Sequence, residues 1–411
     1  MSPSPINIEV LPIELIEELS RHIEPADLLA WRLVCRQFNV LSTKAFGKAH
    51  ISIRRHAFST RDLEKLIEIA KHPTFGSFVR HVEISAQIMQ RMGLTLLVRE
   101  AQREPMYAPL VGTYDTIASD QEALLRGEVF PLLHAAFKSL KEQKVSEIRL
   151  GVAHEMPDQG FTASMWKPLT QEAIDSIEPY RVLRDLNVQI TRMLVKAAHG
   201  AGLKVAQLDI VEHGVLAGDV YGMDDEAYCN IRCLNVEVVE RYRGHLREES
   251  VQRLAEFFSN AKAIEVLRVS QKKDRHHPES AIFPGLMESA TVQPLREIEL
   301  QGLFVDSQDL VKWLARFKST LRSLSISDIE LGENEPDEGN VHAHNAFNEQ
   351  WTVLVQWMLD NLDLEYLHLG GLVPNPINDE KAHAEATFLD GPAVKQGLRE
   401  FLSFVTNKDE Y

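Results

Sequence analysis

The sequence has few cysteines and no long apolar run. Three cysteines among 411 residues are too few and too odd in number for a disulfide framework, so we expect a reducing compartment, the cytoplasm and/or the nucleus. No run of 18 uncharged apolar residues exists, and this predicts no membrane-spanning helix. A cleavable signal is not expected, because Glu9 and Glu14 stand where its apolar core would lie.

Positive charge is also scarce. The chain has 44 Lys and Arg against 60 Asp and Glu, a net charge of −16. General nucleic-acid binding needs basic side chains that displace counterions, so neither nucleic acid nor a membrane is an expected partner. Residues 1–55 hold seven basic and six acidic residues, so the excess acid belongs to the rest of the chain. This asymmetry weakly favours a basic protein partner.

Motifs that carry catalytic chemistry are missing as well. The sequence contains no G-x-S-x-G elbow, no P-loop and no H-E-x-x-H. Cys229 and Cys233 are four residues apart without a second pair, which favours structural cysteines over a zinc site. Histidines at 276, 277, 342 and 344 stand in polar segments, and the acidic run 328–338 lacks calcium-loop spacing. We therefore expect no enzyme activity, no cofactor and no metal.

The stretch LPIELIEELSRHIEPADLLAWRLVCRQFN, residues 11–39, predicts three short helices. Pro12 and Pro25 suit the first turns of two of them, and Phe38 lies in the third. Ile16 forms a stripe of helical period with two later apolar residues, and Leu15 makes that stripe wider than one seam. Helices this short bury little surface by themselves, so they need a partner or form a cap on the following chain.

The order LP, ELI, DLL and RLVCR followed by Phe38 closely resembles the F-box, over residues 8 to 48. Phe38 stands where many family members carry tryptophan. The resemblance implies docking on a Skp-type adaptor and, through it, on a cullin. It implies adaptor contacts by Leu11, Pro12, Leu15, Ile16, Leu19, Ile23, Leu28, Leu29, Leu33, Val34, Cys35 and Phe38. The first five are the best candidates for direct contact, whereas Val34 and Phe38 are expected to be mostly internal.

The rest of the chain repeats an apolar pattern of the form L-x-x-L-x-L. Eight copies begin at Val79, Val145, Val205, Ile231, Ile264, Leu295, Leu321 and Leu364. From Val205 onward the starts are 26, 33, 31, 26 and 43 residues apart. Each copy predicts a short strand, and the stretches 62–71, 251–258, 310–317 and 347–359 between them predict helices. This alternation indicates a leucine-rich-repeat-like α/β solenoid, or alternatively an ordinary α/β domain with a parallel sheet.

Two long intervals precede Val205, and inserted helices or degenerate repeats could fill them. Residues 183–197 and 120–143 have helical periodicity, the latter divided at Pro131. The segment LEKLIEIAKHPTFGSFVRHVEI, residues 63–84, is similar to the segment after the F-box in many fungal family members.

The predicted fold class is therefore mixed α/β. The domain plan is a flexible leader at 1–7, an F-box at 8–50, a solenoid at 51–373 and a partly helical segment at 374–411. Insertions are expected near 86–144, 151–204 and 328–346.

The function implied by the resemblance is that of a substrate receptor in a Skp-cullin-F-box ubiquitin ligase. The F-box would bind the adaptor, and the repeat region would bind an unidentified target protein. The alternative is an F-box and repeat scaffold that organises a complex without degradation.

Overall fold

A computed structural model describes residues 11–85, 95, 98–99, 101–103, 105, 108–153, 180–212, 225–239, 255, 257–272, 286–288, 294–331, 343–372 and 384–406. The chain begins with four short helices: α1 (Ile13–His22), α2 (Pro25–Val34), α3 (Arg36–Leu41) and α4 (Thr43–Phe46). A wider helical turn, Gly47–Ile51, connects them to the first strand. The proline at the start of α2 lies where the helix needs no N–H donor, as predicted.

The fold is mixed α/β, and ten strands form one mostly parallel sheet. The strands lie in the sheet in the order in which they occur in the sequence. The twelve strands of the described residues are β1 (Ile53–Ala57), β2 (His81–Ser85), β3 (Glu147–Ala153), β4 (Lys204–Glu212), β5 (Cys233–Val239), β6 (Val266–Lys272), β7 (Glu297–Gln301), β8 (Phe304–Val305), β9 (Ser323–Ser327), β10 (Glu330–Leu331), β11 (Tyr366–Leu372) and β12 (Ala384–Leu389). The sheet order is β1-β2-β3-β4-β5-β6-β7-β9-β11-β12, and β8 pairs with β10 separately. Neighbouring strands are parallel except β11 and β12.

Helices connect most of these strands. Beyond the first four they are α5 (Thr60–Lys71), α6 (Ala108–Ala123), α7 (Val129–Glu142), α8 (Tyr180–Gly200), α9 (Ser307–Ala315), α10 (Ala343–Asn361) and α11 (Gly391–Thr406). The predicted helices at 62–71, 183–197, 310–317 and 347–359 are confirmed, whereas most of 251–258 lies outside the described residues. No helix of the described part of the chain is both long and apolar enough to cross a membrane.

In all eight L-x-x-L-x-L patterns the last two apolar residues fall on a strand, and apolar residues of the patterns line up across the sheet. One row in register is Val82, Leu150, Leu208, Leu234, Leu267, Ile298, Leu324 and Leu367. None of these eight side chains is more than 1% exposed. Side chains alternate between the faces of a strand, so this row faces the helices and the intervening residues form the opposite face. The core therefore lies between the sheet and its helices.

The pattern on β3 is shifted by two residues relative to the patterns on its neighbours. Leu150, the last apolar residue of its pattern, stands opposite Val82 and Leu208, which are the middle apolar residues of theirs. Ile148 instead pairs with Val205, and an irregularity follows in the ladder. The sheet also extends past the predicted solenoid end at 373, because β12 adds a final antiparallel strand.

The break in the helical stretch 120–143 lies at Gly127 and not at Pro131. Gly127 has a φ of 122°, a left-handed conformation that glycine adopts without steric penalty. Pro131 lies in the first turn of α7, where its missing N–H leaves no hydrogen bond unmade.

Asp306 is the N-cap residue of α9. The Asp306 carboxylate accepts hydrogen bonds from the N–H groups of Gln308, at 2.9 Å, and Asp309, at 3.0 Å.

Replacing Asp306 with alanine is expected to lower the free energy of unfolding by about 1 kcal/mol, because two N–H groups lose their acceptor. Asp306→Asn is the matched control and keeps an equally good cap. Urea unfolding of the two variants measures the difference. Equal stability of both variants would contradict the capping role.

Candidate protein-binding site

Exposed apolar side chains concentrate on the N-terminal helices. Among the described residues, twelve large apolar side chains are exposed, and eight lie between Ile13 and Ile53. The other four, Val98, Phe130, Val353 and Leu389, are scattered over the remaining chain. Single exposed apolar residues are ordinary, but a concentration of this kind is typical of a protein-binding surface.

We define the apolar helix surface as the seven exposed aliphatic residues of α1 to α3. They are Ile13 (53% exposed), Leu15 (51%), Leu19 (43%), Leu29 (55%), Leu33 (84%), Val34 (55%) and Val40 (71%). Leu15 and Leu19 are one turn apart on α1, and Leu29 and Leu33 are one turn apart on α2. Covering the exposed half of each side chain is worth roughly 1 kcal/mol. The summed gain for all seven side chains is comparable with the free-energy cost of association. A stable complex therefore needs a partner that covers most of the seven.

The opposite sides of these helices are packed against each other. Phe38 is fully buried, and its ring stacks on Trp31 with 4.4 Å between centroids. The Trp31 indole donates a hydrogen bond of 3.0 Å to the hydroxyl of Ser20, which in turn donates to the Ile16 carbonyl at 2.7 Å. Because the buried polar groups are satisfied, the helices hold one arrangement while their outer sides remain apolar.

Aromatic contacts fix this helical unit to the start of the sheet. The Arg32 guanidinium lies 4.5 Å from the centre of the Phe46 ring, and that ring packs 5.7 Å from Phe75. One ring nitrogen of His50 lies 2.7 Å from the Pro25 carbonyl, which links the wide helical turn to α2. A side chain on Gly47 would lie 2.5 Å from the Phe78 ring, so only glycine permits this approach. The N-terminal helices are therefore packed against the start of the sheet.

The structure divides the twelve sequence-predicted contact residues into two groups. Ile16, Leu28 and Phe38 are at most 2% exposed, so they hold the helices together and are not available to a partner. Val34 was expected to be mostly internal but is exposed. The other eight are exposed or half-buried: Leu11, Pro12, Leu15, Leu19, Ile23, Leu29, Leu33 and Cys35.

Sequence reasoning missed Ile13, Val40 and Ile53. Ile13 lies between the LP and ELI motifs, and Val40 follows Phe38 by two residues. Only the direction of their side chains in the structure reveals that they are exposed.

A second surface lies on the side of the sheet opposite the helices. Asp209, Asn235, Arg268 and Glu299 occupy one row across β4 to β7, and Glu237 lies two residues beyond Asn235. We call these five residues the polar strand face. They line a depression of about 300 Å³ together with Ser270 and Gln301. Four of them occupy the position between the last two apolar residues of their repeat patterns, which is the signal that would have found them, and Glu237 follows the last apolar residue of its pattern.

The polar strand face contains connected hydrogen bonds and ion pairs. The Asp209 carboxylate accepts a hydrogen bond of 2.8 Å from Gln207 and another from the Asn235 amide. The Arg268 guanidinium pairs with both Glu297 and Glu299, the latter at 3.2 Å. Amide donors neutralise no charge, and one guanidinium serves two carboxylates. Along the row that crosses the strands, carboxylates therefore outnumber guanidinium groups.

Two further groups border this face without adding a reactive centre. Nε2 of His81 lies 3.3 Å from Asp209 Oδ2 but without hydrogen-bond geometry, and burial lowers the pKa of His81 despite the nearby carboxylates. Burial raises the pKa of the Cys233 thiol, partly opposed by Arg268, so the thiol is not activated as a nucleophile.

Within the described residues, no group of three or more His, Cys, Asp or Glu side chains is arranged to hold a metal ion. The histidines at 276, 277 and 342 and the acidic residues 332–338 lie outside the described residues. No family model matches the chain, and no curated protein matches it.

Proposed function

We propose that the protein is an F-box substrate receptor. The N-terminal helices bind a Skp-type adaptor, which links the chain to a cullin, and the sheet region binds a target protein. The observation that carries the proposal is the concentration of exposed apolar side chains on α1 to α3. This surface coincides with the segment whose sequence resembles the F-box.

We further propose that the sheet region is a leucine-rich-repeat-like solenoid. In doubly wound α/β domains the strand order reverses at a switch point, where ligands bind. Here every strand from β1 to β7 pairs with the next strand along the chain. Repeat proteins have this nearest-neighbour order, and their open strand face offers a broad surface for another protein.

Such a receptor performs no bond chemistry. By holding a target near the ubiquitin-conjugating enzyme, it raises the effective concentration of target lysines and makes their reaction nearly intramolecular. The packing of the N-terminal helices against the start of the sheet suits this role, because it sets the distance between adaptor and target. We expect such a complex in the cytoplasm and/or the nucleus.

The decisive experiment measures binding of the purified protein to a Skp-type adaptor. Leu29→Asp/Leu33→Asp places charge on the apolar helix surface and is expected to weaken binding by at least about tenfold, because charged groups resist burial without a partner. Both side chains are exposed, so the free energy of unfolding should change by less than about 1 kcal/mol. Titration by biolayer interferometry and urea unfolding give the two readouts.

Val353→Asp is the matched control, since Val353 is 52% exposed and lies on α10, away from the N-terminal helices. The control should bind the adaptor as the unsubstituted protein does. Equal adaptor binding by all three proteins, or no binding by any, would refute the proposal. If the adaptor binds but the half-lives of bound proteins do not change on depletion, the chain is a scaffold and not a degradation receptor.

A further inference from the structure

The chemistry of the polar strand face indicates the class of target segment. We propose that this face binds an extended basic segment that crosses β4 to β7 with Lys or Arg side chains four residues apart. The inference rests on the proposed function in one respect only, that the bound segment belongs to a target protein.

Charge is the first argument. The row across the strands carries the carboxylates of Asp209 and Glu299 and the single guanidinium of Arg268, which also pairs with Glu297. Side chains of this face are half-buried, with Asp209 27% and Arg268 40% exposed. Electrostatic interactions at such sites are less screened than on an open surface, so the face attracts cationic groups and disfavours acidic ones.

Spacing is the second argument, and it excludes a single ion. Asp209 and Glu299 are in one row but three strands apart, which separates their backbones by about 14 Å. No metal ion spans that distance, in agreement with the lack of a metal-holding group among the described residues. An extended chain advances about 13.5 Å over four residues and places both side chains on the same side. Two basic residues at i and i+4 therefore match the two ends of the row.

Openness is the third argument. The residues of this face are partly exposed. The apolar row on the other side of the same strands is buried under the helices. The bound segment would cross the strands, with its basic side chains reaching Asp209 at one end and Glu299 at the other. Arg268 lies between these ends and would face an uncharged position of the segment, because a third basic side chain there would be repelled.

The test uses short synthetic peptides in an uncharged host sequence, with two arginines at i and i+4, two at i and i+1, or two glutamates at i and i+4. Fluorescence anisotropy with the full-length protein at physiological salt measures binding. The i and i+4 arginine peptide should bind most tightly. Asp209→Asn/Glu237→Gln/Glu299→Gln should weaken its binding by about tenfold, whereas Arg268→Gln should strengthen it by about threefold.

The control variant is Glu64→Gln/Glu68→Gln/Glu142→Gln, which removes the same charge from exposed positions on α5 and α7. It should bind the arginine peptide like the unsubstituted protein. No preference for the i and i+4 arginine peptide, or equal losses in both triple variants, would overturn the inference. The three substitutions of the face should leave adaptor binding unchanged. Loss of peptide selectivity and loss of adaptor binding are therefore separate outcomes, and either proposal can fail alone.

Discussion

Phe38→Ala is expected to lower the free energy of unfolding of the N-terminal helices by about 3–5 kcal/mol. The Phe38 ring is fully buried and stacks on Trp31, and the hydroxyl of Ser42 donates to its carbonyl at 2.6 Å. A unit of four short helices has little other buried apolar surface to absorb the loss. The helices should therefore unfold locally while the sheet remains folded.

Hydrogen exchange followed by mass spectrometry distinguishes the two regions. Amides of α1 to α3 should lose protection in the Phe38→Ala variant, and amides of β4 to β9 should keep it. Val40→Ala is the matched control, because Val40 lies on the same helix and is 71% exposed. Its effect should stay within about 0.5 kcal/mol. Equal protection in the two variants would show that Phe38 is not part of the packed core of this unit.

Comparison of Phe38→Ala with Leu29→Asp/Leu33→Asp separates folding from recognition. Phe38→Ala should weaken adaptor binding only by unfolding the helices, so a stabilising osmolyte should restore part of the affinity. Leu29→Asp/Leu33→Asp should not respond in this way, because the substituted side chains belong to the proposed contact itself.

The eight predicted strands were recognisable because each has a clear apolar alternation, whereas β1 shows what hides a strand. Its helix-facing positions carry Arg54 and His56, which pair with Val82 and Ile84 of β2. A polar residue at an inward position removes the periodic signal, although the backbone still pairs. The β3 register could not be read either, because Val145, Ile148, Leu150 and Val152 offer apolar alternation in two registers.

The division of the N-terminal residues into inner and outer groups could not be predicted for a different reason. Helices of ten residues or fewer have apolar side chains over much of their circumference, so periodicity selects no unique inner side. Leu15 and Ile16 are adjacent and equally apolar, yet only Ile16 is buried. The choice depends on how the helices cross, and the contacts at that crossing include the stack of Trp31 on Phe38 and the hydrogen bond from Trp31 to Ser20.

The polar strand face required knowledge of the register between repeats. Asp209, Arg268 and Glu299 are far apart in the sequence, and the repeat starts are unevenly spaced. Once the strands align, the residues between the last two apolar positions of each pattern become neighbours. Excess acidity alone indicated a basic partner, but only the register gives the spacing at which basic groups would fit.

Acidification from pH 7.5 to pH 5 is expected to reduce the free energy of unfolding by about 2 kcal/mol through His56 alone. His56 is 4% exposed, and its Nε2 has no hydrogen-bond partner. Burial, assisted by the positive charges of Arg54 and Lys65 and opposed by Asp62, lowers its pKa to about 4. An unfolded histidine titrates near pH ~6.5, so between these two values the unfolded state binds more protons. Stability is therefore complete above pH ~6.5 and falls progressively towards pH ~4.

His56→Gln removes this titration, so the stability of the variant should fall by about 2 kcal/mol less over the same pH range. Urea unfolding at several pH values measures the slope independently of any constant destabilisation that the substitution itself causes. His199→Gln is the control, since His199 is exposed at the end of α8. Its pH profile should match that of the unsubstituted protein. Parallel profiles for His56→Gln and His199→Gln would mean that His56 is hydrated in solution, and the packing of β1 against α5 would then be looser than the structure shows.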